Sequence, residues 1–233
     1  FKGVEYVYHC AAMVSFNKKD KLKMFKVNIE GTANVINLSI ALGIKKFCHV
    51  SSTATIGKSD TEKLRHEGCM WENDGTSSNY SISKYFAEME VWRGCEEGLD
   101  VVIVNPSIII GPGDWTQSSP NLFLKVWKGL KFYSKGINAF VDVRDVSQVM
   151  IKLMRSSVKS ERFLVIGENI SFQELFNEIA TSLGRNKPSI EVRSWMANLI
   201  WRVEVIRSFI FGSDPLVTKE SSRSALTKVK YSN

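Results

Sequence analysis

Short apolar runs alternate with longer segments of helical periodicity in the first half of the chain. Residues 4–10, 46–50 and 99–104 are rich in Val, Ile, Phe and Cys and have the length of buried strands. Residues 20–42 and 79–97, which separate these runs, carry apolar side chains at helical spacing. Because strands that alternate with helices are joined by right-handed crossovers, the pattern predicts an α/β protein with a parallel sheet.

Turns and shorter elements replace this alternation beyond residue 107. Ser171 and Glu174 have the spacing of a capping box, which predicts a helix N-terminus. Residues 195–211 form a wide apolar helical face interrupted by charges, which we interpret as the cover of a substrate cleft or a subunit contact. A helix lying on a membrane surface is the alternative. The remaining pattern predicts a helix at 121–130, a strand at 139–143, a helix at 144–154, a last short strand at 162–166 and a helix at 171–183.

The composition is that of an ordinary globular protein. Of the 233 residues, 44% are apolar and 24% are charged, and Lys plus Arg exceed Asp plus Glu by 31 to 24. The surplus of seven positive charges suits a polyanionic partner, including a dinucleotide. Basic residues are not clustered with aromatic ones, so we expect no nucleic-acid partner. No apolar run reaches the length of a membrane span, so none is predicted.

Cysteine and histidine spacings indicate neither disulfides nor a metal site. The four cysteines lack any C-x-x-C spacing, which favours a reduced, cytoplasmic protein. The three histidines have no ligand spacing, and we predict no metal. These residues are Cys10, Cys48, Cys69 and Cys95, and His9, His49 and His66.

One helical segment, residues 79–90, carries candidate acid/base chemistry. Tyr80 and Lys84 are four residues apart and therefore neighbours on a helix face. An ammonium group beside a phenol favours the phenolate, so we expect Lys84 to lower the pKa of Tyr80. Such a tyrosine could exchange a proton with an alcohol or a carbonyl oxygen. The same spacing also fits a solvated helix face.

Polar residues follow two of the predicted strands. Ser51, Ser52 and Thr53 come directly after the strand at 46–50, and Asn105-Pro106 interrupts the next apolar run. In open α/β sheets, ligands bind at the carboxyl ends of the strands. Serines at such positions also serve as turn residues or helix caps.

Taken together, these motifs resemble the extended short-chain dehydrogenase/reductases. Among them, the chain is most similar to the NAD-dependent epimerase/dehydratase group and to its dihydroflavonol-reductase-like branch. The motifs that carry the resemblance are H-x-A-A at residues 9–12, N-x-x-G-T at 28–32, the serines at 51–52, Y-x-x-x-K at 80–84, N-P-x-x-x-x-G-P-G at 105–113 and FVDVRDV at 140–146.

The resemblance implies a Rossmann-like doubly wound parallel sheet with a small, mostly helical C-terminal substrate lobe. Residues 1–106 and 139–167 would form the dinucleotide-binding domain, and residues 107–138 and 168–233 the lobe. The family's glycine-rich turn, which holds the cofactor pyrophosphate, does not occur here. We therefore expect the sequence to be part of a longer protein, with the N-terminal part of the sheet absent. The residue that distinguishes NAD from NADP is missing with it, so the cofactor is NAD or NADP.

The resemblance also implies residue roles. Tyr80 would exchange the proton, Lys84 would lower its pKa and bind the nicotinamide ribose, and Ser52 would hydrogen-bond the substrate oxygen. Ser52 is preferred to its neighbours because it aligns with the family pattern. Asn28 matches an asparagine near the family's site, although bonding of nearby backbone would also explain it. The implied cofactor-binding residues are Cys10, Ala11, Ala12, Ser51, Tyr80, Lys84, Pro106 and Ser107.

The implied activity is hydride transfer at a ketone or secondary alcohol of a fairly apolar small molecule. A nucleotide-sugar epimerase or dehydratase is the alternative, and it would require arginines converging on a diphosphate. A non-catalytic nucleotide-binding protein is the third hypothesis. A homodimer paired through the Tyr80 helix is a hypothesis by analogy. The candidate arginines are Arg193, Arg202 and Arg207, and the candidate pocket aromatics are Trp115, Phe123, Trp127, Trp195 and Trp201.

Overall fold

The chain forms two compact units in a computed structural model. The first unit comprises Phe1–Ser107, Arg144–Val165 and Ser232–Asn233, and the second comprises Ile108–Val143 and Ile166–Tyr231. The dinucleotide-binding and substrate-binding roles assigned to the two domains remain predictions. Residues 58–78, a polar stretch whose glycines and charges predict a loop over the site, lie partly outside the described residues. The structure describes residues 3–57, 64–72, 75, 77–116, 118–211 and 218–232.

Strands and helices alternate as the hydrophobic pattern predicted. The elements are, in chain order, β1 (Tyr6–His9), α1 (Lys21–Phe25), a π-helical turn (Lys26–Glu30), α2 (Gly31–Ala41), β2 (Lys46–Val50), α3 (Asn79–Glu96), β3 (Val101–Pro106), β4 (Ile108–Ile110), α4 (Pro120–Trp127), β5 (Phe132–Tyr133), β6 (Ile137–Asp142), α5 (Val143–Arg155), β7 (Glu161–Val165), β8 (Glu168–Ser171), α6 (Phe172–Ser182), β9 (Ile190–Glu191), α7 (Ser194–Phe211) and α8 (Lys219–Leu226).

The first unit is built on a parallel sheet with strand order β1-β2-β3-β7. Phe47 pairs with Val7 on one side and Val101 on the other, so β2 is an interior strand. Every residue of β3 is buried, which explains its continuous apolar run. The predicted Rossmann-like α/β fold is confirmed.

Helices α2 and α3 cover one face of this sheet. Ile36 of α2 and Val91 of α3 are fully buried and pack in one core cluster with Phe47, Val101 and Ile103. The helices approach closely at Gly94, where a Cβ would lie 2.6 Å from Ile36 Cγ2. Replacing this glycine would therefore force the two helices apart.

A buried lysine joins the sheet to the end of α5. Lys46 Nζ donates hydrogen bonds to the carbonyl oxygens of Leu153, at 2.7 Å, and Ser156, at 2.9 Å. The last carbonyl groups of a helix have no partner within the helix, and a cation there is favourable. Lys46 thus fixes α5 against β2 although it occupies an apolar strand.

The second unit combines helices with short strands. Strand β6 pairs in parallel with β4 and antiparallel with β8, while β5 pairs with β9. Its core is formed by apolar residues of α4, β6 and α6, namely Val126, Phe140, Leu175, Phe176, Ile179 and Ala180. The capping box of Ser171 and Glu174 is present at the start of α6, which confirms that prediction.

Three expectations about individual elements were wrong. Residues 20–42 do not form one regular α-helix, because the π-helical turn separates α1 from α2. The strand at 162–166 is not the last one, since β8 and β9 follow it. Helix α7 was predicted, but α8 was not.

Among the described residues, no helix combines the length and the apolar character required to cross a bilayer.

Candidate active site

Six of the eight predicted cofactor-binding residues lie at or directly after the carboxyl ends of three adjacent strands, while Tyr80 and Lys84 lie on α3. Cys10, Ala11 and Ala12 follow β1 and are exposed. Ser51 follows β2 and is buried. Pro106 ends β3, and the buried Ser107 follows it, donating its backbone N–H to Val165 O at 3.1 Å. The parallel sheet therefore brings these residues to one edge.

Helix α3 is anchored by its N-terminal residues at the same edge. The Ser78 side chain caps the helix by accepting a hydrogen bond from the Ser81 N–H at 3.0 Å. Ser81 Oγ donates to Ala54 O at 2.5 Å and accepts from Trp71 Nε1 at 3.2 Å. These bonds fix the first turn of α3, which carries Tyr80, beside the residues that follow β2.

Tyr80 and Ser52 meet through their side chains. The side chain of Tyr80 lies beside that of Ser52, and Ser52 Oγ accepts the Ala54 N–H at 3.1 Å. Burial raises the pKa of Tyr80, and Ser52 opposes this only in part. The net direction is opposite to the expected lowering, because desolvation of the phenolate outweighs the contact with Ser52. The effect of Lys84 on this pKa stays a prediction.

Lys84 is buried beneath the end of β2. Its Nζ donates to the carbonyl oxygen of Val50 at 2.8 Å, two residues before Ser52. Burial lowers the pKa of Lys84 from 10.5 to about 8, while the nearby Glu88 and Cys10 act in the opposite direction. Among the described residues, Nζ makes this one hydrogen bond, so two of its three N–H groups remain for a ligand.

The sequence analysis missed Glu88, one helical turn after Lys84. This carboxylate is fully buried and accepts hydrogen bonds from Ser51, Thr55 and Asn105, with Arg162 opposite. The signal was an acidic residue on the otherwise buried face of α3, because such a residue must be paired. The Ser51 hydroxyl is thus engaged with Glu88, and its predicted contact with the cofactor remains a prediction.

Asn28 holds the segment after β1 against α3. Its Nδ2 donates to Met13 O at 3.0 Å and to Ser83 Oγ at 2.9 Å, and its Oδ1 accepts the Met13 N–H at 2.7 Å. Asn28 lies in the π-helical turn, a feature that recurs at functional sites. Asn28 therefore bonds nearby backbone, as one interpretation expected, and also contacts Ser83, the residue before Lys84.

Two buried histidines stack near Lys84. The His9 and His49 rings are 5.4 Å apart, and His9 Nε2 lies 3.0 Å from Thr32 Oγ1. Burial, assisted by the charge of Lys84, lowers the pKa of His9 to about 4 and that of His49 well below its usual range. Both rings are therefore neutral at neutral pH.

These features are compatible with a nicotinamide cofactor at this edge of the sheet. Three exposed residues with small side chains, at positions 10–12, leave the backbone after β1 accessible, and Lys84 offers two N–H groups. A lysine paired with a buried tyrosine and a serine hydroxyl can hold, donate and accept a proton at a substrate oxygen. The donor set thus fits the group that the sequence resemblance implied.

Comparisons with known proteins agree with the fold and the motifs. The model of the NAD dependent epimerase/dehydratase family matches residues 1–167. Sterol demethylase protein B of Methylococcus capsulatus is 29% identical over 82% of this chain. A dihydroflavonol 4-reductase-like protein of Synechocystis sp. is 26% identical over 99%. The crystal structure of gox2253 is 28% identical, covers 99% of this chain and has a TM-score of 0.78.

The relatives are longer than this chain. The chain spans 58% of the Methylococcus protein, 69% of the Synechocystis protein and 71% of the gox2253 chain. The family resemblance stated from the sequence motifs is confirmed, including its dihydroflavonol-reductase-like branch.

Proposed function

Because the chain belongs to the NAD-dependent epimerase/dehydratase family, we propose that it is an NAD(P)-dependent oxidoreductase acting on a ketone or secondary alcohol of an apolar small molecule. The observation that carries this proposal is the placement of Tyr80 beside Ser52, with Lys84 Nζ bound to Val50 O at the same strand end. The choice between NAD and NADP remains open.

The bound nicotinamide supplies or accepts the hydride. Tyr80 holds the proton that the substrate oxygen gains during reduction, and its raised pKa keeps the phenol protonated at neutral pH. Ser52 hydrogen-bonds the same oxygen and orients it toward Tyr80. Lys84, one helical turn from Tyr80, places a positive charge near the phenolate that remains after proton transfer.

The substrate class is inferred from the names of the relatives and from the second unit. The Methylococcus and Synechocystis relatives are named for a sterol and a dihydroflavonol, both of which are polycyclic. In the second unit, Trp115 and Phe123 are in ring contact at 6.1 Å, and Trp195 is exposed. Arg185 lies over the Trp127 ring, with its guanidinium carbon 3.7 Å from the ring centroid, so one face of this ring is occupied.

The nucleotide-sugar alternative has less support. Arg202 donates to Asn198 O within its own helix, and Arg207 pairs with Glu204 in the same helix at 2.6 Å. Side chains engaged along α7 in this way do not form the convergent arginines that a diphosphate would require. A UDP-sugar therefore serves as the comparison substrate in the test below.

We also propose a cytoplasmic location and a homodimer. All four cysteines are free, which agrees with a reducing, cytoplasmic compartment. Phe86 of α3 is exposed and could contact a second copy through that helix, as the family analogy implies.

The test is a fluorescence titration of the full natural chain with NADH and NADPH, followed by turnover of polycyclic ketones and of UDP-glucose. We expect one dinucleotide to bind and a ketone to be reduced. In Tyr80→Phe, we expect kcat to fall by about 10² to 10⁴ with dinucleotide affinity retained, since only the proton donor is lost. Tyr85→Phe is the matched control, because Tyr85 stacks on Trp71 through its ring.

Three results would contradict the proposal. Absence of binding by either dinucleotide would reject the oxidoreductase assignment. Equal ketone turnover by Tyr80→Phe and the unmodified chain would reject the role of Tyr80. Turnover of UDP-glucose without ketone reduction would transfer the assignment to the nucleotide-sugar class.

A further inference from the structure

The most extensively hydrogen-bonded buried charge in the first unit is the carboxylate of Glu88. Its Oε2 accepts from Ser51 Oγ at 2.5 Å, Thr55 Oγ1 at 2.9 Å and Asn105 Nδ2 at 2.9 Å. Its Oε1 accepts from Arg162 Nη1 at 3.2 Å. All four contacts are donors, which is the arrangement that satisfies an ionised carboxylate.

Two of these donors connect Glu88 to the proposed catalytic serine. Thr55 Oγ1 lies 2.9 Å from Ser52 O as well as from Glu88 Oε2, so its single proton is shared between these two oxygens, and Asn105 Nδ2 lies 3.2 Å from Ser52 O. Asn105 Nδ2 also donates to Thr55 Oγ1 at 2.9 Å. The backbone at Ser52 is thereby held from below by side chains that Glu88 orients.

The guanidinium of Arg162 extends this arrangement to the segment before α3. Besides Glu88, it donates to the backbone oxygens of Glu67 and, at 3.4 Å, of Cys69. Glu67 in turn accepts the Leu164 N–H at 2.8 Å. Glu88 thus contacts the residues after β2 directly. Through Arg162 of β7, it is also joined to the segment of residues 64–72.

Glu88 is also the nearest acidic partner of Lys84 on α3. The two side chains are one helical turn apart, and the Glu88 charge favours the protonated lysine. Burial disfavours that form. The titratable and charged groups that face this pair are His9, Cys10, His49 and Arg162.

We propose that Glu88 is a positioning residue, whose buried carboxylate fixes Ser52 through Thr55 and Asn105 and supplies the negative charge that accompanies Lys84. The inference rests on the proposed function for its catalytic consequence, but the geometry that carries it lies entirely within the first unit. Glu88 itself touches neither Tyr80 nor Ser52 among the described contacts. Its effect is transmitted by its hydrogen-bond donors.

Glu88→Gln in the full chain tests the electrostatic part. The substitution keeps the shape and removes the charge, so we expect the pKa of Lys84, followed by NMR of isotopically labelled lysine side chains, to fall by about one pH unit. The alkaline limb of the kcat/KM profile for ketone reduction should move to lower pH by the same amount. Lys84→Met assigns the resonance.

Glu90→Gln is the matched control. Glu90 lies on the same helix, but its carboxylate pairs with Arg93 at a partly exposed position. We expect it to change neither the Lys84 resonance nor the pH profile. A Lys84 pKa that is the same in Glu88→Gln and the unmodified chain would overturn the electrostatic part. Because this NMR measurement needs no turnover, it separates failure of the inference from failure of the proposed activity.

Thr55→Val tests the positioning part and serves if Glu88→Gln does not fold. Valine keeps the shape of threonine and leaves the Glu88 charge in place, but it removes the hydroxyl that joins Glu88 to Ser52. We expect kcat to fall by about tenfold with KM for the dinucleotide and the pKa of Lys84 unchanged. A kcat equal to that of the unmodified chain would overturn this part.

Discussion

The strand ends of the first unit and helix α7 of the second differ in which side chains they bury and which they expose. At the strand ends, polar side chains are buried and hydrogen-bonded, Ser51 to Glu88 and Lys84 to the Val50 carbonyl oxygen. On α7, apolar side chains are exposed, including Trp195 and Leu199. Directional hydrogen bonds determine the arrangement of the first region. The second region presents an apolar surface.

This difference separates two tasks of an enzyme. A buried charge without its partner is costly, so each polar group at the strand ends depends on the identity of its neighbours. Apolar contact is non-directional, so an exposed apolar helix tolerates substitution with little loss of stability. We therefore expect the first region to limit the chemistry and the second to adapt to the substrate.

The largest expected effect on the free energy of unfolding comes from the buried charge of Lys84. Its pKa is about 8 in the fold against 10.5 as its ordinary value, so between these pH values the unfolded chain binds more protons at this residue. Stability contributed by Lys84 therefore rises with pH in this window, by about 3 kcal/mol in total at about 1.36 kcal/mol per pH unit. Urea unfolding of the chain and of Lys84→Met, from pH 7.5 to 10.5, measures the difference.

Lys45→Met is the control for this measurement. Lys45 is exposed beside Glu5, which raises its pKa above the ordinary value, so its contribution is present below that value and is lost only at higher pH. We therefore expect the difference between the unmodified chain and Lys45→Met to stay constant over the pH range used. A difference between the unmodified chain and Lys84→Met that stays constant with pH would show that Lys84 is not desolvated.

A smaller effect on the free energy of unfolding is expected at Gly57, where the backbone before α3 packs closely. A Cβ at Gly57 would lie 1.6 Å from Met70 O and 2.9 Å from Trp71 N, so Gly57→Ala must displace the segment before α3. We expect the free energy of unfolding to fall by about 2 kcal/mol. Gly31→Ala, where the Cβ meets only Lys26 O at 3.9 Å, should raise it by about 0.5–1 kcal/mol. Equal effects of the two substitutions would contradict the crowding.

The smallest effect on stability is expected on α7. The Trp195 side chain is 65% exposed, so Trp195→Ala should change the free energy of unfolding by less than about 0.5 kcal/mol. If this ring contacts the substrate, KM for a polycyclic ketone should rise several-fold while kcat is retained. Leu22→Ala, exposed in the first unit, should change neither quantity. An unchanged KM in Trp195→Ala would remove the ring from the substrate surface.

The sequence was sufficient for the features that depend on local pattern. Strand β2 and the start of α3 lie at their predicted residues because a short apolar run and apolar side chains at helical spacing are local signals. The approach of Tyr80 to Ser52 also follows from pattern, since parallel strands bring their carboxyl ends to one edge. The roles of these residues remain predictions.

Other features depend on long-range contacts that no local pattern contains. The direction of the Tyr80 pKa is set by burial, which the helix spacing of Lys84 does not report. Glu88 became significant only when Arg162, 74 residues away, was placed opposite it. Strands β5 and β9 are two residues long, too short for a periodicity to be visible.

The π-helical turn has a consequence for insertions and deletions. A turn of this kind holds one residue more than the regular helix, and each α-helical residue advances the side-chain direction by about 100°. Deleting a single residue between Lys26 and Glu30 would restore a regular helix and rotate α1 by that angle relative to α2. Met24 would leave the core, and Asn28 would lose Met13 or Ser83. Length variation in related chains should therefore be absent from this turn, even where its residue types change freely.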